Sequence, residues 1–96
     1  MFMVIISFPP IKNGKDNEFQ KWFASSNKMF SNFEGFLSRR LLRPAEGGNY
    51  AAVVEFKDQA AFQAMHSSSI HDKAGEQVRP LLDGNPTPRF YEVVET

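Results

Sequence analysis

Phe2 to Phe8 have the sequence FMVIISF, and Pro9 and Pro10 follow directly. Only Ser7 interrupts the apolar side chains, and a short apolar run of this kind is typical of a β-strand that is buried on both faces. The two prolines end the strand, because proline has no N–H to donate to a sheet. The fold is therefore expected to be built around a sheet whose two faces are both covered.

After this strand the periodicity of the apolar residues becomes helical. Side chains recur at the spacing of one helix face, which predicts an amphipathic helix from about Asn17 to Asn32. Asp16 or Asn17 is expected to cap its start. The inward stripe of this helix consists of Phe19, Trp22, Phe23, Ser26 and Phe30.

Three further strands and a second helix are predicted in the rest of the chain. The strands are FLSRRLLR at 36–43, YAAVVEF at 50–56 and RFYEVV at 89–94, and EGGN at 46–49 is a hairpin-type connection. Asp58 is expected to cap the second helix, and the serines at 67–69 favour a break within it. Residues 81–88 contain a glycine and two prolines, which predicts a loop. The apolar positions of the second helix are Ala61, Phe62, Met65, Ile70 and Ala74.

The predicted order of elements is β-α-β-β-α-β, and this order defines the fold class. It is typical of the ferredoxin-like α+β fold, in which a four-stranded antiparallel sheet carries two helices on one face. A length of 96 residues suits one domain, and no linker, repeat or low-complexity segment divides it. Residues 1–96 are therefore predicted to form a single domain.

Composition and charge exclude several classes of protein. The chain has 11 basic and 11 acidic residues, and this zero net charge argues against nucleic-acid binding. It has no cysteine, which excludes disulfides, thiolate nucleophiles and cysteine zinc sites. No stretch approaches the roughly 18–20 apolar residues of a membrane span, and the start lacks the features of a secretory signal. We therefore expect a cytoplasmic protein that binds neither nucleic acid nor membrane.

The predicted strands are apolar on both sides, although two helices cover only one face of such a sheet. In the first strand Val4 and Ile6 point one way, whereas Met3 and Ile5 point the other, and the third and last strands repeat this pattern. An apolar face of this size needs a cover, and no loop is long enough to supply one. Packing against a second sheet is the simplest cover, so we predict a homodimer that forms an α/β barrel.

Several short motifs in a fixed order resemble those of a known family. They are GFL at 35–37, LLRP at 41–44, VVEF at 53–56, AFQA at 61–64 and FYEVV at 90–94. In addition, His66-x-x-Ser69-x-His71 is similar to a His-x-x-Ser-x-His stretch in the second helix of many members. The family is that of the antibiotic biosynthesis monooxygenase (ABM) domain proteins, dimeric α/β barrels, and the resemblance covers nearly the whole chain. It implies activities that include cofactor-independent oxygenation of aromatic polyketides, quinol oxygenation and heme degradation.

The heme-degrading branch of this family is the most similar in the first half of the chain, and it implies heme as an alternative ligand. That branch carries an Asn on the first strand, a Trp on the second helix and a His that ligates iron. The matching positions here are Ser7, Met65 and residues 73–75, and none of them carries the expected residue. The resemblance therefore supports the pocket but disfavours heme degradation, unless His66 or His71 is a displaced ligand.

His66 and His71 are the main candidates for chemistry. They are five positions apart, about 140° around an ideal helix, so they would share a site only if the helix breaks between them. Either histidine can serve as the general base that deprotonates a phenolic substrate, or as a heme ligand. The alternative is a solvated helix histidine without a role. A transition-metal site is disfavoured, because no third and fourth ligands accompany the pair.

Other residues are candidates for the wall of a pocket. A flat apolar ligand would fit between helix and sheet next to Trp22 and Phe23, although such an aromatic stripe is as typical of plain core packing. Ser7 and Ser26 would leave room or offer a hydrogen bond near the ligand. The predicted substrate-binding residues are Ser7, Trp22, Phe23, Ser26, Arg40 and Met65.

Arg39 and Arg40 are consecutive in the predicted second strand, so one of them faces each side of the sheet. The arginine that faces a covered surface needs an acidic partner or an anionic ligand. Glu55 on the neighbouring strand is the expected partner, and a ligand carboxylate is the alternative. Of the two arginines, Arg40 is assigned to substrate binding.

Taken together, these features predict a monooxygenase-type enzyme that acts with molecular oxygen on a flat aromatic or quinol-like compound. No cofactor is expected, because an electron-rich substrate anion can itself react with oxygen. A heme-binding or heme-degrading monooxygenase is one alternative. A non-catalytic dimer that binds a small molecule is another. The residues do not specify the substrate.

Overall fold

The apolar strand at the start of the chain lies in the interior of the sheet. In the computed structural model, which describes all 96 residues, β1 (Phe2–Ser7) pairs antiparallel with β3 (Ala51–Phe56) and with β4 (Thr87–Glu92). β2 (Phe36–Leu42) pairs with the other side of β3, also antiparallel. The resulting order β2-β3-β1-β4 confirms the predicted ferredoxin-like α+β fold.

Three helices pack on one face of this sheet, rather than the two predicted. They are α1 (Asp16–Phe30), α2 (Gln59–His66) and α3 (Ser69–Val78), and a single 3-10 turn (Arg79–Leu81) follows. The Asp58 side chain caps α2 as predicted, accepting a hydrogen bond from the Ala61 N–H at 2.8 Å. Ser68 then starts α3, because its Oγ accepts a hydrogen bond from the His71 N–H at 3.2 Å. No helix has the length and apolar character needed to cross a membrane.

The ends of α1 differ from the prediction. The helix begins after Lys15, which makes no side-chain capping bond, so neither Asp16 nor Asn17 is the cap. The Asp16 carboxylate instead accepts a hydrogen bond of 2.6 Å from the hydroxyl of Tyr50, the residue just before β3. After Phe30 the chain leaves the helix in tight turns.

The turn that follows α1 explains why a glycine precedes β2. Gly35 has a φ of +81°, a conformation that glycine adopts at little cost. A Cβ at this position would lie 2.7 Å from the Cβ of Ala61. The turn therefore packs directly on α2, and any larger residue would push the two apart.

The last third of the chain contains three corrections. β4 spans Thr87–Glu92 rather than 89–94, and it includes Pro88 because an edge strand tolerates a proline. Within the predicted loop, Leu81 and Leu82 are buried in the core. Ile70 is one of the apolar positions predicted for the second helix, but it is exposed, because the break before α3 restarts the helix in a new orientation.

The core consists of two apolar clusters that lie side by side between the helices and the sheet. One is built around Phe56 and Phe62, and the other around Phe19 and Leu82. Ile6 and Trp22 are only partly buried and pack against both clusters. The two clusters are therefore joined at the middle of β1 and α1.

The two faces of the sheet are distinguished by strand alternation and by one bulge. In β3, Val54 is buried beneath the helices, whereas Val53 lies on the opposite face, called the open face below. A β-bulge between Phe36 and Ser38 shifts the alternation of β2 by one residue. As a consequence Arg39 joins Phe36 under the helices, and Arg40 lies on the open face.

Candidate functional site

An apolar cleft of about 280 Å³ opens between the helices and the sheet. Ligand sites commonly have volumes of roughly 300–1,000 Å³, so this cleft is near the small end of that range. Its walls come from all four strands and all three helices. They include Val4, Ile6, Trp22, Phe62, Met65 and Phe90.

The two histidines meet at this cleft. His66 is the last residue of α2 and His71 the third residue of α3, and their ring centroids are 4.4 Å apart. The break between the helices makes this contact, because residues five apart on one continuous helix would point about 140° away from each other. His66 stacks on Phe62, and His71 lies against Phe30, with centroid distances of 5.4 and 6.2 Å. The structure thus brings together the two residues to which the sequence assigned the chemistry.

The surroundings of His71 favour its neutral form. Burial lowers the pKa of His71 below 6.5, and the positive charges that His66 and Arg39 can carry lower it further. The carboxylate of Asp72 opposes this effect by raising the pKa. At neutral pH the His71 imidazole therefore has a free lone pair that can accept a proton. His66 is more exposed and lies at the rim.

Arg39 brings a buried positive charge to the wall of the cleft. Its side chain is one of only two polar ones among the buried residues, and it is 9% exposed. Its guanidinium carbon lies 3.9 Å from the ring centroid of Phe23, 4.9 Å from that of Phe30 and 5.3 Å from that of Trp22. A cation over aromatic faces is stabilised by the ring quadrupoles.

The polar contacts of Arg39 are all with neutral groups of α1. Its Nη1 donates to the Phe23 carbonyl at 3.2 Å, to the Ser26 Oγ at 2.9 Å and to the Asn27 Oδ1 at 2.7 Å. Burial lowers the pKa of Arg39 to about 9, which still leaves the guanidinium protonated at neutral pH. The site thus contains a cation that no carboxylate neutralises.

Trp22 connects two helices, α1 and α3, that form opposite walls of the cleft. Its Nε1–H donates a hydrogen bond of 2.9 Å to the carbonyl of Ala74, so α1 and α3 are joined across the cleft. The indole ring also packs against Phe19 and Phe8, with centroid distances of 5.7 and 6.4 Å. Trp22 is therefore part of the core and part of the cleft wall at the same time.

The predicted site residues fall into three groups. His66, His71, Trp22 and Met65 line the cleft. Phe23 and Ser26 are buried behind it, and both contact Arg39 of its wall. Ser7 and Arg40 were expected in the site, but they lie on the open face.

The sheet register explains why Arg39, and not the predicted Arg40, lies at the cleft. Counting by twos from the inward Phe36 leads to Arg40, but the bulge at 36–38 inverts the count. Arg40 instead pairs with Glu55 at 3.1 Å on the open face. Glu55 is therefore not the partner of the covered arginine, contrary to the expectation.

Two further parts of the wall were missed. Pro86, Pro88 and Phe90 contribute to the cleft because β4 begins earlier than predicted. Phe30 was recognised only as part of the helix stripe, although its ring faces both His71 and Arg39. The aromatic character of these positions was visible, but their convergence depends on the register of β4 and on the break before α3. No group of three or more histidine, cysteine or carboxylate residues is arranged to hold a metal ion.

Comparison with solved structures shows the same fold in several organisms. The chain aligns with Rv0793 from Mycobacterium tuberculosis at a TM-score of 0.84 and 17% identity, over 99% of this chain and 96% of that one. It aligns with SnoaB, a cofactor-independent oxygenase from Streptomyces nogalater, at a TM-score of 0.84 and 19% identity, over 99% and 94% of the two chains. A conserved protein from Methanosarcina mazei gives a TM-score of 0.83 at 16% identity, over 95% and 91%.

Sequence comparison identifies the family. No curated protein sequence matches the chain. The sequence profile described as antibiotic biosynthesis monooxygenase matches residues 1–77, which include the sheet strands β1 to β3 and most of the histidine-bearing helical wall. The chain therefore belongs to the antibiotic biosynthesis monooxygenase family.

Proposed function

We propose that this protein is a monooxygenase that oxidises a flat, electron-rich aromatic or quinol-like compound with molecular oxygen and without an organic cofactor. The observation that carries the proposal is the contact between His66 and His71 at the mouth of an apolar cleft. A neutral imidazole beside an apolar, water-poor space is suited to remove a weakly acidic proton from a bound ring system. His71 is proposed as the base, and His66 as the partner that exchanges the proton with solvent.

The reaction balances without any further reactant if the substrate is an anthrone-type compound. His71 takes a proton from the activated methylene, and the resulting anion transfers an electron to oxygen. The two radicals combine into a carbon-bound peroxide, which takes up a proton. Loss of the second C–H proton then breaks the O–O bond and expels hydroxide, which is protonated to water. One oxygen atom ends in the new carbonyl group and the other in water, so the methylene carbon loses the four electrons that oxygen gains.

The similarity to SnoaB supports this proposal, because SnoaB is a cofactor-independent oxygenase with the same fold. The size of the cleft also favours a compound of two or three rings over the larger macrocycle of heme. In addition, Ser7 lies on the open face, so the first-strand position that resembles the heme-degrading branch does not line this cleft. A hemin titration tests the alternative, since heme binding would produce a saturable shift of the Soret band.

Oxygen uptake by the purified protein tests the proposed reaction. A panel of anthrones and hydroquinones is supplied, and turnover is followed with an oxygen electrode and by product absorbance. We expect His71→Gln to lower kcat/KM by roughly a hundredfold to ten-thousandfold, as is typical of a lost general base. His66→Gln should have a smaller effect. Lys73→Gln, at an exposed position on the same helix as His71, should have none.

Retention of full activity by His71→Gln would show that this residue is not the base. Absence of oxygen uptake with every compound, combined with a Soret shift on hemin addition, would favour the heme alternative instead. Absence of both would favour a non-catalytic binding protein.

We also propose that the protein works as a homodimer joined through the open face of the sheet. Met3, Ile5 and Val53 lie together on that face and are only partly covered within one chain. β4 is exposed along its whole length, and its Tyr91 and the following Val93 are each about 40% exposed. A second sheet packed on this face would bury these side chains. Because the chain has zero net charge, electrostatic repulsion between two copies is small.

A further inference from the structure

Arg39 is a buried cation without a counter-ion. The ion pairs of the structure join Lys15 to Glu18, Arg40 to Glu55 and Lys57 to Glu34, and Arg39 takes part in none of them. Burying an unpaired charge costs folding free energy, so a protein keeps one only where something offsets the cost or uses the charge. Proteins commonly use such groups at functional sites.

The surroundings of Arg39 hold the guanidinium in place but do not neutralise it. Its hydrogen bonds go to a carbonyl, a hydroxyl and an amide oxygen, and its faces meet the rings of Phe23, Phe30 and Trp22. All of these groups are uncharged. The positive charge is therefore fixed in position and still available to a negative group.

Two nitrogens of Arg39 make no hydrogen bond within the chain. All its hydrogen bonds are made by Nη1, whereas Nε and Nη2 make none. No fully buried side-chain nitrogen lacks a partner, so Nε and Nη2 both retain accessible surface. Together, Nε and Nη2 form the edge of a guanidinium that binds a carboxylate with two parallel hydrogen bonds. Arg39 lines the same cleft as the histidine pair.

We propose that Arg39 forms an anion subsite in this cleft, and that the natural ligand is an aromatic monoanion whose negatively charged oxygen binds the guanidinium. The aromatic part of the ligand would lie against Trp22 and Phe62, beside the histidines. This proposal concerns the same cleft as the proposed function and narrows its substrate class to compounds that carry a carboxylate or an equally anionic oxygen. Arg39 would then determine which aromatic compounds are accepted.

A matched pair of ligands tests this subsite by isothermal titration calorimetry at neutral pH. Naphthalene-2-carboxylate carries the charge, and naphthalene-2-carboxamide has nearly the same shape without it. Quenching of the fluorescence of Trp22, the only tryptophan in the chain, provides a second readout from inside the cleft. We expect the wild-type protein to bind the carboxylate at least tenfold more tightly than the carboxamide.

Substitutions of Arg39 and of its neighbour Arg40 distinguish a specific anion subsite from a general effect of positive charge. Arg39→Gln should bring the two ligands to equal affinity, and Arg39→Lys, which keeps the charge but loses the two-pronged donor, should retain part of the preference. Arg40→Gln is the control, since Arg40 lies on the open face beside Glu55. Arg39 and Arg40 also border a shallow depression on the surface, so an anion held there would be lost in both variants.

The outcomes decide the proposal. Equal affinity of the two ligands in the wild-type protein, no binding of either, or a preference that survives Arg39→Gln would each overturn it. Circular dichroism verifies that Arg39→Gln is folded, and if it is not, the comparison of wild type with Arg39→Lys and Arg40→Gln still applies. The carboxylate preference with no oxygen uptake would support the subsite and reject the oxygenase. Turnover of neutral hydroquinones with no such preference would do the reverse.

Discussion

Neighbouring residues of the same type have opposite environments on the two faces of the sheet. Val54 is buried under the helices and Val53 is on the open face, and Arg39 lies in an aromatic cage while Arg40 pairs with Glu55 near solvent. Nothing in the side chains themselves distinguishes the members of these pairs. Their different environments come from strand alternation in β3 and from a single bulge in β2. A one-residue change of register would exchange the residue that faces the cleft with the one that lies on the open face.

The largest expected effect concerns the open face. Ile5→Lys should separate the proposed dimer, because it places an unpaired charge against the apolar centre of the second sheet. A cost of about 3 kcal/mol would weaken association by roughly a hundredfold. Sedimentation velocity over a concentration series measures the change.

Ile70→Lys is the matched control for this experiment. Ile70 is also an isoleucine with surface exposure, but it lies on α3, away from the open face, so the variant should keep the mass of the wild type. A wild-type protein that sediments as a monomer at every concentration would refute the dimer.

An intermediate effect is expected from the two valines of β3. Val54→Ala removes two methyl groups from a site that is 3% exposed and should lower the free energy of unfolding by about 2 kcal/mol at any protein concentration. Val53→Ala should cost less than about 0.5 kcal/mol in dilute solution, as is typical of surface changes. Its cost should grow with concentration as the open face becomes covered. Urea unfolding at two concentrations measures both, and equal, concentration-independent losses would contradict the assignment of the faces.

The smallest expected effect is a change in the pKa of His71, which should differ between substitutions of the two arginines. The charge of Arg39 is one of the causes that lower the pKa of His71, after burial and the charge of His66. Arg39→Gln should therefore raise the pKa of His71, and Arg40→Gln should leave it unchanged. The acid limb of the pH–rate profile should move to higher pH in the first variant, because the base is then protonated at a higher pH.

Proton NMR of the imidazole ring measures this shift without a substrate. The chain has only two histidines, and the His71 signal is assigned by its absence in His71→Gln. A pKa of His71 above 6.5 in the wild-type protein, or an equal response to both arginine substitutions, would contradict the geometry of the site.

The sequence was sufficient to predict the sheet with its apolar first strand, and the helix stripe, because these depend on local periodicity. The contact of His66 with His71 was predicted only for the case in which the serines at 67–69 break the helix. The position of Arg39 was not predicted, because a bulge depends on how β2 pairs with β3 and leaves no mark in the alternation of β2 itself. The start of β4 was missed for a related reason, since only its place at the edge of the sheet makes Pro88 acceptable.

The break between α2 and α3 has a consequence for the persistence of the histidine contact. The two helices have 8 and 10 residues, and isolated helices shorter than about 12–15 residues are marginal in water. Their stability therefore comes from the packing of side chains such as Phe62, Met65 and Ala74 against the sheet. Amide hydrogen exchange should therefore give a lower free energy of opening for α2 and α3 than for the central strands β1 and β3. The orientation of the proposed base, His71, therefore depends on the packing of Met65, although Met65 takes no part in the proposed proton transfer.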